Sequence, residues 1–259
     1  MTEPRLRVPL SAVVISLNAA SQLPECLAHL AFCDEIVVVD SGSTDDTVSL
    51  ARAQGARVIH CDWRGFGQQK QFAVEQAHHD WVLCIDADER VSTALRTSIE
   101  AALQETTRPW VAYRFPRCNR FLGRYLRHGE GYPDMSLRLF DRRQARWSED
   151  AVHEKVLTEG ATGRLSGDLL HDSAETIESY LAKQNRYTTL AAQQAHLQGR
   201  RAHWGHLLFS PVWRFIKFYV VRRGFLDGGP GLVHISIGCL NSYFKYLKMM
   251  ELQKNVRVT

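Results

Sequence analysis

The sequence predicts an α/β protein: a mostly parallel sheet with helices on both faces over residues 8–172, then a helical, amphipathic region over 173–259. Three observations predict it. Short β-branched runs alternate with helix-period stretches between residues 10 and 90, the signature of βαβ units. These runs end in polar residues, which places chemistry along one edge of a sheet. Beyond residue 173 strand patterning gives way to an Ala-, Gln- and Leu-rich stretch and then to a basic, aromatic one.

LSAVVISL (10–17), EIVVVD (35–40), ARVIH (56–60) and WVLCID (81–86) read as the strands. Near-continuous apolar runs of this kind suit strands covered on both faces. If they are adjacent and parallel, Asn18, Asp40 and Asp86 line one crevice at their carboxyl ends. Ser43, Thr44 and Asp45 offer N-cap oxygens to the helix that follows, and Gly55 ends it. Another helix is expected over 92–104, closed near Pro109, then strands at 110–115 and 136–140 within a less regular segment up to residue 172. A long helix follows from Glu175 to Gln198.

The balance of 32 Lys+Arg against 28 Asp+Glu gives a net charge of +4, too mild to argue for a nucleic-acid partner. Distribution says more: Arg114, Arg117, Arg120, Arg124 and Arg127 crowd one segment, Arg138, Arg142, Arg143 and Arg146 the next. These clusters suit phosphates or anionic headgroups, or a solvated basic face. Six scattered cysteines without metal spacing, and an N-terminus lacking an apolar signal core, fit a protein that stays on the cytoplasmic side.

VLCIDADERV (82–91) ends a buried strand with Asp86, Asp88 and Glu89, three carboxylates that resist burial together. A divalent cation such as Mg²⁺ or Mn²⁺ prefers carboxylate oxygens and leaves positions open for a substrate's phosphates, so D-x-D at a crevice mouth suits a nucleoside diphosphate. Lys70 and Arg138 are candidates to hold phosphate.

The ordered set VVISLN (13–18), EIVVVDSGSTDDT (35–47), GFGQQKQ (65–71) and WVLCIDADERV (81–91) resembles the family 2 glycosyltransferases, which have the GT-A (Rossmann-like) fold. PDMSLRLFDR (133–142), AVHEKV (151–156), LLHDS (169–173), RGFLDGGPG (223–231) and FKYLK (244–248) extend the resemblance to the lipopolysaccharide core β-1,4-glucosyltransferase subgroup. It implies that Asp40 contacts the uracil or ribose of a nucleotide-sugar donor, UDP-glucose in that subgroup, and that Asp86 and Asp88 bind metal and diphosphate. His171 is a further metal candidate. The implied acceptor is a lipid-linked saccharide, a heptose of the lipopolysaccharide inner core. Gln71, where many relatives have Asn, and Met135, where an aromatic is frequent, depart from the pattern.

The implied reaction is an inverting displacement in which a carboxylate deprotonates the acceptor hydroxyl. Glu154, in the VHE of the subgroup motif, is favoured as base; Asp150, the second acid of a Glu-Asp pair, is the alternative. Glu149 is a third acid nearby, and His153 is at most an orienting neighbour. Two rivals stand beside this reading. A nucleotidyltransferase would ordinarily carry a Gly-rich basic loop after the first strand, which SLNAASQLPECL lacks. A non-catalytic nucleotide-sugar or lipid-binding module would have no need of a base.

The C-terminal third mixes Trp, Phe and Tyr with Arg214, Lys217, Arg222, Arg223, Lys245 and Lys248. Its longest charge-free run, Gly228 to Phe244, is shorter than the roughly 20 residues of a spanning helix. The expected partner is a membrane surface, with the chain peripheral on the cytoplasmic face of a bacterial inner membrane. Core helix packing and a homodimer face are the plainer alternatives.

Overall fold

The computed structural model describes residues 7–105, 109–150, 154–173 and 176–255. The chain divides into two compact units: residues 1–118 with 134–172, and residues 119–133 with 173–259.

In the first unit the strands are β1 (Leu10–Ser16), β2 (Glu35–Asp40), β3 (Arg57–His60) and β4 (Trp81–Asp86). They are separated by helices α1 (Leu23–Ala28), α2 (Thr47–Ala53) and α3 (Phe66–Glu75). β5 (Glu89–Val91) leads to α4 (Thr93–Gln104), whose N-cap Ser92 accepts the Leu95 N–H at 3.3 Å. Then come β6 (Ala112–Phe121), β7 (Arg124–Tyr125), β8 (Asp134–Asp141), β9 (Ala145–Trp147), β10 (Val156–Thr158), β11 (Thr162–Arg164) and β12 (Leu169–His171).

The main sheet runs β3-β2-β1-β4-β8-β6-β12-β5. Its first four strands are parallel, as βαβ alternation requires, and β8 adds antiparallel to β4. The sheet is therefore mixed. β1 shows why both faces are covered: Leu10, Ala12 and Val14 join one core with Leu23, Leu27, Ile99 and Leu103, while Val13 joins another with Ala73, Val74, Phe140 and Trp147. Period-two alternation delivers apolar side chains to both layers, and burial of each large aliphatic contributes about 1.5–3 kcal/mol. Pairing of Ser16 with Asp40 and of Ile15 with Asp86 sets those two acids at the carboxyl edge on either side of β1.

The second unit contains α5 (Ile177–Leu197), α6 (Trp204–Phe215), a π-helical continuation (Ile216–Val221), a 3₁₀ turn (Gly224–Asp227) and α7 (Gly228–Asn255). Ala192, Ala195, Ala202 and Met249 form a small core. The RGFLDGGPG motif locks the 119–133 segment in place. A Cβ on Gly224 would lie 2.3 Å from Ile235 Cδ1, and buried Asp227 accepts the His128 backbone N–H at 2.8 Å and faces its Nδ1 at 3.0 Å. Among the described residues no helix is long and apolar enough to cross a membrane.

Candidate active site

α3 turns Gly67, Lys70, Ala73 and Val74 toward the sheet, so a lysine occupies a core-facing position. Lys70 is 5% exposed, and its Nζ lies 3.2 Å from Asp86 Oδ1 and 3.1 Å from Glu154 Oε1. A buried ammonium is tolerated only where carboxylates compensate it, and here it joins two. From β8, Arg138 Nη2 reaches Asp86 Oδ2 at 2.8 Å and Glu89 Oε1 at 3.3 Å. The Trp147 ring faces both cations, 5.0 Å from Lys70 Nζ and 5.4 Å from the Arg138 guanidinium carbon. Of the basic clusters in the sequence, Arg138 is thus part of the site, and Arg117 pairs with Asp134 at 2.8 Å.

Burial alone would raise the pKa of Asp86, but Arg138 and Lys70 outweigh it and hold the carboxyl well below the usual range. Glu89 goes the other way. It is fully buried, and desolvation raises its pKa against the pull of Arg138, with neighbouring Asp86 adding to the rise. Its Oε2 also accepts the Asp86 backbone N–H at 3.0 Å, so Glu89 braces the strand end from beneath. The arginine itself, between two acids, is raised further above its already high value despite desolvation. Glu89 and Trp147 were missed as site residues by sequence reasoning; the third acid of DADE was a signal for Glu89, and no local pattern marks Trp147.

The two acids of D-x-D meet different partners. Asp86 has its oxygens on Lys70 and Arg138, whereas Asp88 Oδ2 lies 3.1 Å from His171 Nε2. The antiparallel register of β12 against β5, with His171 opposite Glu89, brings that histidine to the turn. Among the described residues no group of three or more His, Cys, Asp or Glu side chains is arranged to hold a metal. Asp88 and His171 form a two-donor set, which fits a divalent ion that takes its other ligands from water and substrate phosphates.

Glu154 stands on Lys70, one cation away from Asp86. Its approach depends on Gly67, where a Cβ would lie 2.2 Å from the Ser148 carbonyl oxygen and 3.3 Å from Glu154 Cβ. Glu149 and Asp150 are exposed on the loop after β9, and His153 lies outside the described residues. Gln71, the departure from Asn, accepts the Trp147 N–H at 2.9 Å and so fastens β9 to α3.

Asp40 is buried and occupied locally: Oδ2 accepts the Gly42 and Ser43 N–H groups at 3.0 and 2.8 Å, and Oδ1 faces the Ser16 and Ser43 hydroxyls. It shapes the turn after β2. Asn18 adopts a left-handed φ of 49° and accepts the Thr44 N–H at 2.8 Å. The expected caps act differently from a simple N-cap: Ser43 Oγ accepts the Asn18 N–H at 2.8 Å and Asp45 accepts the Ala20 N–H at 3.2 Å, lacing two crevice loops together. Asp46 occupies the N-cap of α2 without a side-chain cap bond.

Parallel strands ending in acids, a buried lysine shared by two carboxylates and an Asp–His pair beside them define an α/β enzyme of the crevice-edge kind. The model of the family described as Glycosyl transferase family 2 matches residues 11–160. The chain belongs to glycosyltransferase family 2; it is a glycosyltransferase, with the α/β GT-A architecture that membership implies. It is 32% identical to the lipopolysaccharide core biosynthesis glycosyltransferase LpsC of Rhizobium meliloti, over 95% of this chain and 93% of that protein. A Rickettsia typhi protein described as an uncharacterized glycosyltransferase is 29% identical over 96% of this chain and 89% of its own length. Among solved structures, mannosyl-3-phosphoglycerate synthase from Rubrobacter xylanophilus has a TM-score of 0.49 at 18% identity, covering 76% of this chain and 77% of that one.

Proposed function

We propose that this glycosyltransferase moves a hexose, glucose from UDP-glucose, onto a lipid-linked saccharide with inversion at the anomeric carbon. The acceptor in this reading is a heptose of the lipopolysaccharide inner core, and the chain works at the cytoplasmic face of a bacterial inner membrane. The observation that carries the chemistry is Lys70 held between Asp86 and Glu154. The similarity to LpsC along nearly the whole chain supports the acceptor class.

Glu154 accepts the proton of the acceptor hydroxyl as its oxygen attacks the anomeric carbon; the bond from that carbon to the diphosphate oxygen breaks and the nucleoside diphosphate departs. Attack opposite the leaving group turns an α-linked donor into a β-glycoside. Lys70 fixes where the base stands, and Asp86, through Lys70 and Arg138, ties that position to the end of β4. Asp88 and His171 would hold Mg²⁺ or Mn²⁺, which supplies positive charge to the departing diphosphate. Asn18 and Asp40 shape the crevice loops that receive the nucleoside.

Incubating the chain with a panel of UDP-sugars and truncated core saccharides, then reading product mass and anomeric configuration, tests this. A β-linked hexose on a heptose acceptor is expected. An α-linked product, or no transfer from any UDP-sugar, would refute it.

A further inference from the structure

α6 and its π-helical continuation form one helical rod over residues 204–221, roughly 25 Å long at about 1.5 Å per residue. Most of this rod's apolar surface faces outward, and Leu207 is its one buried residue. Its inward side carries Ser210, whose hydroxyl meets Ser242 at 2.6 Å, and Arg214, whose Nε donates to Glu130 at 3.1 Å. Its outward side carries Trp204, Leu208, Val212, Ile216 and Val220 in steps of four, all exposed, with Phe209 and Trp213 beside them at 73% and 64% exposure. A helix on a soluble domain turns its apolar stripe to the core; this one turns it to the surroundings.

The π segment limits how far the stripe winds. A row stepping by four residues slips by about 40° per step in an α-helix, and the wider π turn slips it back. Three α steps carry the row about 120° round from Trp204 to Ile216, and the π turn reverses the drift over the last step, so that Val220 stays exposed instead of winding on toward the protein side.

Charge indicates what the stripe meets. Between Glu178 and Asp227 the sequence has Lys183, Arg186, Arg200, Arg201, Arg214, Lys217, Arg222 and Arg223, and no Asp or Glu. Lys217, Arg222 and Arg223 are exposed around the far end of the rod. A second copy of the chain docked on this face would set cations against cations. An anionic, apolar partner satisfies both properties.

We propose that the outward face of residues 204–223 is a monotopic membrane-binding surface, lying in the headgroup–acyl boundary of a bilayer that contains anionic lipids. Aromatic and aliphatic side chains enter the boundary while Lys217, Arg222 and Arg223 meet lipid phosphates. The inference deepens the lipid-linked-acceptor reading, giving that enzyme its membrane partner.

The test is co-sedimentation of the full chain with vesicles of phosphatidylcholine containing roughly 30% phosphatidylglycerol, a fraction chosen to give a distinctly anionic surface, and with pure phosphatidylcholine. Pelleting is expected with the anionic vesicles and is expected to weaken with salt. Phe209→Ser/Trp213→Ser should reduce it at least tenfold, and Lys217→Glu about fivefold or more, since one basic residue near the surface is worth about 1 kcal/mol. Unchanged melting temperatures are expected because these side chains are exposed. Equal pelleting of parent and Phe209→Ser/Trp213→Ser chains overturns the proposal. So does a micromolar dimer in solution that the double variant abolishes while vesicles capture nothing. Transfer to a delipidated, soluble acceptor by the parent chain is the separate readout for function: no transfer by a parent chain that pellets with vesicles refutes the proposed reaction, and transfer by a parent chain that pellets with no vesicle refutes the surface.

Discussion

α3 and α6 both turn a cation inward, yet the two placements mean different things. In α3, Lys70 is almost fully buried and bridges Asp86 and Glu154, while exposed Phe66 packs edge-on against Trp63. In α6, Arg214 is a third exposed and meets one acid, Glu130, while the outward face is apolar along its length. A buried cation between two carboxylates marks a site, because desolvation of all three groups is tolerated only for what the arrangement does. A single partly exposed pair beneath an apolar stripe marks a surface.

The sharpest way to break that contrast is at Glu154, the proposed base. Glu154→Gln should lower kcat by about 10²–10⁴-fold, the usual weight of a positioned general base, with UDP affinity retained by calorimetry. Asp150→Asn, on an exposed loop position, should transfer at close to the parent rate. The reverse pattern in UDP-release assays would move the base to Asp150. The two cations come next. Lys70→Met leaves two carboxylates without a shared partner and should cost about 3–5 kcal/mol in urea unfolding, whereas Arg214→Met, at a partly exposed pair, should cost about 1 kcal/mol. Equal costs would remove the distinction between site and surface.

The parallel half of the sheet was legible because β1, β2 and β4 are mostly buried, aliphatic-rich runs ending in a polar residue; Leu10–Ser16, Glu35–Asp40 and Trp81–Asp86 fall within a residue or so of their sequence expectation. Asp88 and His171, far apart in sequence, were paired only through resemblance, since the β12–β5 register that joins them is a long-range contact that no local pattern encodes. The division of labour within D-x-D was also hidden. The positive charge that the acids demanded comes, for Asp86, from Lys70 and Arg138, and buried cations look like surface ones in a sequence. The outward stripe of α6 was visible only as a basic, aromatic composition. Which side faced the core depended on Leu207, Ser210 and Arg214 finding partners.

Gly67 gives a smaller and more local break. Its backbone needs no left-handed conformation, so the constraint is steric: an added methyl meets the Ser148 carbonyl oxygen, part of the backbone that β10 pairing holds near Glu154. Gly67→Ala should cost about 1–3 kcal/mol through overpacking and lower kcat more than donor affinity, because the shift falls on Glu154, the proposed base. Gly55→Ala is the control. Gly55 has a φ of +81° and open space about its Cα, so the expected cost is conformational, about 1 kcal/mol, with no effect on turnover per folded molecule.

The smallest effect belongs to the helical unit and to pH. His234 packs against the rings of Phe121 and Tyr180, at centroid distances of 5.2 and 6.3 Å. Burial lowers its pKa; Glu130 and Asp227 pull it partly back up, and Arg214 adds to the lowering. A depressed histidine pKa means that the folded state favours the neutral ring. Its contribution to stability is therefore present above the unfolded value of about 6.5 and is lost as pH falls through the folded pKa. His234→Phe keeps the ring packing and removes the titration. Urea midpoints at about pH 7.5 and 5.5, on either side of that unfolded value, should converge for the variant relative to the parent. The difference should be no more than about 1.4 kcal/mol for each pKa unit of depression. Identical pH slopes in the two chains would mean that the imidazole is protonated without penalty in the fold, and that the Glu130 and Asp227 carboxylates offset its burial.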